Sequence, residues 1–242
     1  MSSEPPAPPA TEGYVIAAGL RSSRSTFERW MREPGPVLGP WFAGALTIAA
    51  GLLVAVWVVS QFAPADPSPV FLPGISEPVG LADFEHILGR NLLVLALHAT
   101  ACVAGFIAGS SLQQVAETKT GLSRIIHEKA GPVAIAWVIA VTVFSLLTQA
   151  FALGLTAASM SAQLDIGSGL LILTVLPHAL LELTAVFLPL AAWLIASRRD
   201  EWEELLAATF VTVGLALPML LLAALIELTL WPRLLEIVSP FA

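Results

Sequence analysis

The chain has 242 residues, of which 57% are hydrophobic and only 12% are charged, and its mean hydropathy is +0.83. A soluble domain carries about 25% charged residues, so this composition excludes an ordinary soluble protein and predicts one that crosses a membrane several times. The net charge of −7 argues against a nucleic-acid partner, and the single cysteine, Cys102, excludes an intramolecular disulfide.

Before residue 41 we predict two segments that lie outside the membrane core. Residues 1–19 are rich in proline and small polar residues and poor in apolar ones, which predicts a disordered tail. Residues 20–40 predict a cytoplasmic amphipathic helix that lies on the membrane surface, because arginines flank an apolar face. That face consists of Leu20, Phe27, Trp30 and Met31. The alternative is a disordered basic linker that only sets the orientation of the protein.

Residues 41–235 predict one domain, an all-α polytopic transmembrane bundle with five spans. Each apolar stretch is at least as long as the roughly 20 residues that a helix needs to cross a hydrocarbon core. The five stretches are residues 41–62, 91–111, 132–154, 169–196 and 206–230. The fourth stretch is too long to cross straight, so we expect helix bends at Pro177 and, in the fifth stretch, at Pro218.

Lysine and arginine residues are distributed unevenly between the two sides of these spans. Nine of the 11 lie before the first span, between the second and third, or between the fourth and fifth. Only Arg90 and Arg233 fall on the other side. Because positively charged loops stay in the cytoplasm, we predict a cytoplasmic N-terminus and a C-terminus outside.

Polar residues within the predicted spans gather in the outer half of the membrane. His178 and Glu182 are four residues apart, which places them on one face of the fourth helix. A helix rises about 1.5 Å per residue, and counting along the spans puts Glu227 and Asn91 near the same level. Ionisable groups at mid-helix cost about 2.5–3.5 kcal/mol each, so they usually pair or face water. The cluster therefore either fixes the packing of the spans or forms an outward-facing recess for a ligand, a proton or a partner.

His98 and Gln149 are two further polar residues in the predicted spans, on the second and third. A lone histidine in an apolar run needs only one neighbouring carbonyl to satisfy it. We therefore favour a structural role for both residues.

Two motifs in the second half of the chain resemble a known family. The run Leu176–Ala185 (Leu-Pro-His-Ala-Leu-Leu-Glu-Leu-Thr-Ala) resembles the Pro-His-Gly-x-x-Glu-x-x-Ala signature of the stage II sporulation protein M family of bacterial membrane proteins. The run Ala223–Glu227 resembles that family's Ala-Ala-x-Ile-Glu segment, and Asn91 matches an Asn at the head of its second span. Ala179 stands where the family usually has Gly.

The resemblance implies a multi-pass helical protein of the bacterial cell membrane, without a known cofactor. In spore formers the named member is understood as a membrane scaffold that recruits peptidoglycan hydrolases outside the membrane. For this chain the resemblance implies a scaffold or accessory subunit, embedded in the lipid bilayer, that recruits or organises other membrane or envelope proteins. Factors that remodel peptidoglycan are among the expected partners. We also expect the protein to form a homo-oligomer.

Two other functions use the same residues. A transporter or proton-coupled exporter subunit would exploit intramembrane carboxylates and broken helices, although the sequence contains no polar path through the inner half and no phosphate-binding glycine loop. A metal-dependent intramembrane hydrolase would use His178, Glu182 and Glu227, but no H-E-x-x-H motif is present. We therefore predict no enzyme activity, no cofactor and no metal.

Overall fold

The structure, a computed structural model, describes residues 23–66, 68, 73–75, 77–108 and 121–241. Within the last range, only the backbone is described at residues 121–132, 134, 137 and 141. The tail predicted at residues 1–19 lies outside the described residues. Those residues are almost entirely helical and contain no β-strand.

Seven helices follow one another along the described chain. They are α1 (23–32), α2 (Gly35–Phe62), α3 (Leu81–Phe106), α4 (Gly121–Gln163), α5 (Ser168–Arg199), α6 (Leu205–Thr229, after a 3₁₀ turn at Trp202–Glu204) and α7 (Trp231–Val238). Five of them, α2 to α6, are long and apolar enough to cross a membrane, although in α4 only the part Val138–Gln163 meets this criterion. The prediction of an all-α bundle with five spans is therefore confirmed.

The predicted surface helix at residues 20–40 divides at Glu33 and Pro34. Residues before this point form α1, and those from Gly35 onward belong to the first span. The reason is local, because a proline disfavours helical backbone at the residue before it, whereas Pro36 fits the first turn of the new helix. An arginine-rich helix therefore precedes the first span and is separated from it by a sharp break.

The fourth span, α5, is the centre of the bundle. Of its most apolar stretch 67% is buried inside the protein, whereas the corresponding figure for α4 is 12%. The helices α2, α3 and α6 pack along α5, and α4 packs mainly along α2. The other spans are similarly apolar, so the central position of α5 follows from its packing and not from its hydropathy.

Two close helix contacts depend on glycine. A Cβ atom at Gly154 of α4 would lie 2.5 Å from Val59 Cγ1 of α2, and one at Gly105 of α3 would lie 2.5 Å from Trp193 Nε1 of α5. Both distances are too short for real atoms, so only a residue without a side chain fits at either crossing. Small residues at such contacts allow the backbones of membrane helices to approach closely.

Side chains of α3 hydrogen-bond the backbone of α5 close to the proline in its middle. Pro189 has no backbone N–H, which removes one internal hydrogen bond from this turn. His98 Nδ1 hydrogen-bonds the Val186 carbonyl at 3.0 Å, and the Cys102 thiol donates to the Pro189 carbonyl at 3.0 Å. The predicted carbonyl contact of His98 is present at Nδ1, but its buried Nε2 atom has no hydrogen-bond partner among the described residues. The bends predicted at Pro177 and Pro218 stay predictions, since α5 and α6 each continue as one helix through these residues.

The chain alternates between the two ends of the bundle, which we call the Gly35 end, where α2 begins, and the Phe62 end, where α2 finishes. At the Phe62 end, α7 folds back over the bundle. Ser239 Oγ donates to the Leu164 carbonyl at 2.6 Å, and Trp231 Nε1 donates to Thr174 Oγ1 at 3.2 Å. These bonds hold α7 against α5 and against the turn that precedes α5. As a result, α7 covers part of the Phe62 end of the five spans.

Candidate functional site

The predicted polar residues meet around one cavity at the Phe62 end. The cavity has a volume of about 180 Å³ and lies between α2, α4 and α5, with α3 and α6 contributing one residue each. Four ionisable side chains line it, together with mostly apolar ones. The ionisable residues are Arg90, His178, Glu182 and Glu227. We call this space the acid cavity.

His178 and Glu182 reach the acid cavity from the same face of α5, as their spacing predicts. The imidazole of His178 is buried, and its ring centroid lies 5.5 Å from that of Trp231 in α7. Its Nδ1 atom has no hydrogen-bond partner among the described residues. Trp231 thus packs against the imidazole, and His178 also forms part of the cavity wall.

The two carboxylates of the acid cavity depend on residues at the start of the second span. Asn91 is buried, and its side chain hydrogen-bonds the carboxylate of Glu182. Arg90 is close enough to attract the carboxylates of both Glu182 and Glu227, while these two repel each other. Arg90 is itself exposed and forms no ion pair within 4.0 Å with either acid, so neither carboxylate has a close cationic partner among the described residues.

All four residues selected from the sequence are thus placed together: His178, Glu182 and Glu227 line the cavity, and Asn91 bonds to one of them. Sequence reasoning missed Arg90, which we counted only as a topology charge. The available signal was its position, because it directly precedes Asn91. Gln149 takes no part; its amide donates to Ser145 Oγ of the same helix at 3.1 Å.

The donor set of the acid cavity favours charge recognition over metal chemistry. No three His, Cys, Asp or Glu side chains in the described part of the chain are close enough together to hold a metal ion. The charged hydrogen-bond acceptors in the cavity lining are the carboxylate oxygens of Glu182 and Glu227, and most of the other lining residues are apolar. Such a site suits a group that donates hydrogen bonds or carries positive charge.

On the Gly35 side of the acid cavity, the middle of α5 is completely buried. Every residue from Leu183 to Trp193 is buried, and the one hydroxyl among them, on Thr184, donates to the Leu180 carbonyl of its own helix at 2.6 Å. The cavity is therefore a recess at one end of α5, and the central part of this helix offers no exposed polar group toward the Gly35 end.

Comparison with known protein families found one matching family model. The model described as stage II sporulation protein M matches residues 44–230, which include four of the five spans whole, most of the first span, and Arg90, Asn91, His178, Glu182 and Glu227. The chain belongs to the stage II sporulation protein M family. The match begins after α1, so this helix lies outside the part shared with the family model. Searches of curated proteins and of solved structures found no significant match.

Proposed function

We propose that this member of the stage II sporulation protein M family is a membrane scaffold or accessory subunit that recruits partner proteins through the acid cavity. The observation that carries the proposal is the placement of two partly buried acids beside open volume. Glu182 and Glu227 both line a cavity of about 180 Å³, and Arg90, the one arginine in its lining, is exposed. We propose no catalytic role for these residues.

A purely structural role would not call for this arrangement. Ionisable groups within a membrane cost about 2.5–3.5 kcal/mol each on insertion scales, and helix packing alone is achieved at lower cost by apolar side chains. If the cluster served only to fix the helices, we would expect the acids to fill the space between them. Instead, Glu182 and Glu227 border a cavity with apolar walls.

The partner segment that fits the acid cavity carries a basic or hydrogen-bond-donating side chain. An added cation would offset the repulsion between Glu182 and Glu227, because the one arginine in the lining, Arg90, is exposed and screened by water. By the positive-inside rule the Phe62 end faces the outside of a bacterial cell membrane, where envelope proteins are accessible. Together with the family, this location supports peptidoglycan-remodelling factors as partners.

Transport through this chain is less consistent with the packing of its centre. A conduction path needs polar groups or water along its length, as in carriers whose sites lie near the midplane at broken helices. The buried run Leu183–Trp193 of the central helix has no such groups toward the Gly35 end. A transport path would therefore have to avoid the central part of α5.

Affinity purification with a matched pair of variants tests the scaffold proposal. Glu182→Gln keeps the shape of the side chain and removes its charge within the acid cavity. Glu236→Gln makes the same change on the exposed face of α7 at the same end of the bundle. We expect the wild type and Glu236→Gln to co-purify the same envelope proteins in equal amounts, and Glu182→Gln to lose them. Equal recovery by correctly folded Glu182→Gln would contradict the proposal.

A further inference from the structure

A second, larger pocket lies at the Gly35 end, about 480 Å³ in volume, between α1, the start of α2 and the turn from α5 to α6. We call it the interfacial pocket. Its charged lining residues are Arg29, Arg32, Glu33, Arg199, Glu201 and Glu204. Its remaining lining is apolar and includes Trp30, Trp41, Val37 and Ile195. The pocket thus combines a charged rim with an apolar floor at one end of the membrane-crossing helices.

The docking of α1 creates this pocket. Trp30 of α1 is buried, and its ring packs edge-on against that of Trp41 in α2 with centroids 5.2 Å apart. Arg29 forms an ion pair with Glu204 in the turn before α6. A helix that lies outside the family match is therefore held against the spans by one aromatic and one ionic contact, with open space beneath it.

The charges around the interfacial pocket balance, which restricts the ligands that fit. Three arginines face three glutamates. Arg29 is paired with Glu204, and Arg199 lies 4.0 Å from Glu201. Arg32 and Glu33 have no ion-pair partner among the described residues. One cation and one anion, adjacent in the chain, therefore remain available at the rim.

We propose that the interfacial pocket binds the headgroup of a zwitterionic aminophospholipid, with the phosphodiester at Arg32 and the primary ammonium at Glu33. Arginine is well suited to bind phosphate oxygens, and a primary ammonium has three N–H donors for a carboxylate. The acyl chains then cover the apolar floor. Tryptophan is typical of the level at which headgroups lie, which agrees with Trp30 and Trp41 in this wall.

The same balance argues against other lipid classes. Recognition of anionic lipids uses clusters of unpaired lysine and arginine, whereas this rim has no surplus of positive charge. A choline headgroup has no N–H to donate and binds best on open aromatic faces. Trp30 and Trp41 are 8% and 6% exposed, so their faces are largely covered. This inference is independent of the proposed scaffold role, because it concerns the opposite end of the bundle.

Native mass spectrometry of the detergent-purified full chain tests the proposal. The probes are phosphatidylethanolamine, phosphatidylglycerol and phosphatidylcholine with identical acyl chains, and soluble glycerophosphoethanolamine as a competitor. We expect the wild type to bind phosphatidylethanolamine most tightly. Arg32→Gln should weaken this binding by about fivefold, in line with one partly solvated ionic contact. Arg24→Gln, on the same helix but outside the pocket, is the matched control and should bind like the wild type.

Glu33→Gln separates headgroup recognition from folding of the pocket. This variant keeps the arginines and the apolar floor, so it should still bind lipid but lose its preference for phosphatidylethanolamine over phosphatidylglycerol. The proposal is overturned if Arg32→Gln and Arg24→Gln bind phosphatidylethanolamine equally, or if the wild type prefers phosphatidylglycerol or phosphatidylcholine. It is also overturned if glycerophosphoethanolamine competes at the same concentration as the lipid, because the ligand would then be a soluble phosphodiester.

Discussion

Each end of the bundle has a pocket lined by ionisable side chains, but the two pockets differ in how far these side chains are buried and in their balance of charge. At the Phe62 end, Glu182 and Glu227 are partly buried among the spans, and Arg90 beside them is exposed. At the Gly35 end, the charges lie on α1 and on the turn before α6, and they balance. A charge buried without its partner is costly, whereas an exposed ion pair is screened by water. The same substitution should therefore have very different effects at the two ends.

The largest effect should come from the packing that frames the acid cavity. Gly154→Ala places a Cβ atom against Val59, where α4 crosses α2, and overpacking of this kind costs about 1–3 kcal/mol. Gly51→Ala on α2 adds the same atom where no other atom lies within 4 Å. We expect only Gly154→Ala to melt at a lower temperature. If both variants melt together with the wild type, the contact between α4 and α2 is looser than the structure indicates.

Removal of one of the two acids should have the opposite sign. Glu227→Gln relieves the repulsion with Glu182, so we expect the melting temperature to rise, corresponding to about 1 kcal/mol or less of added stability. If the acids are retained for partner binding, the same variant should recover less partner. A variant that is less stable and binds its partner normally would instead indicate that Glu227 is a structural residue.

The smallest effect belongs to the Gly35 end. Glu204→Gln removes the ion pair with Arg29, and an exposed pair of this kind contributes about 0–1 kcal/mol. The melting temperature should hardly change, but α1 should exchange its amide hydrogens faster than in the control Glu203→Gln. High salt should reduce the difference between the variants, because it screens the pair. No difference at low salt would mean that Trp30 alone holds α1 in place.

The spans were predictable because their signal is local. Hydropathy over about 20 residues identifies a span whatever the rest of the chain does. The start of α3 was less predictable: it begins at Leu81, ten residues before Asn91, where we placed the start of the second span. This first part includes Asp83, whose carboxylate caps the helix by accepting a hydrogen bond from the Gly80 N–H at 2.8 Å. The average hydropathy does not reveal this extension, but the apolar stripe of Leu81, Phe84, Ile87 and Leu88 indicates an interfacial helix that leads into the span.

The candidate site was predictable where counting along helices was enough. His178 and Glu182 are related by helical spacing, and Glu227 and Asn91 follow from their depth in antiparallel spans. The role of Arg90 depends on which way its side chain turns at a span terminus, and the Arg29–Glu204 pair joins residues 175 positions apart. Contacts of this kind arise from tertiary packing, which one sequence does not encode in any local pattern.

The most direct test of the central claim is site-specific photocrosslinking in cells. A diazirine amino acid at Val175 lines the acid cavity, whereas one at Leu173 lies on the exposed face of the same helix. We predict a discrete crosslinked partner from position 175 that is absent from position 173 and is lost when Glu182→Gln is added. Crosslinks of equal intensity from both positions, unaffected by Glu182→Gln, would contradict recruitment through the acid cavity.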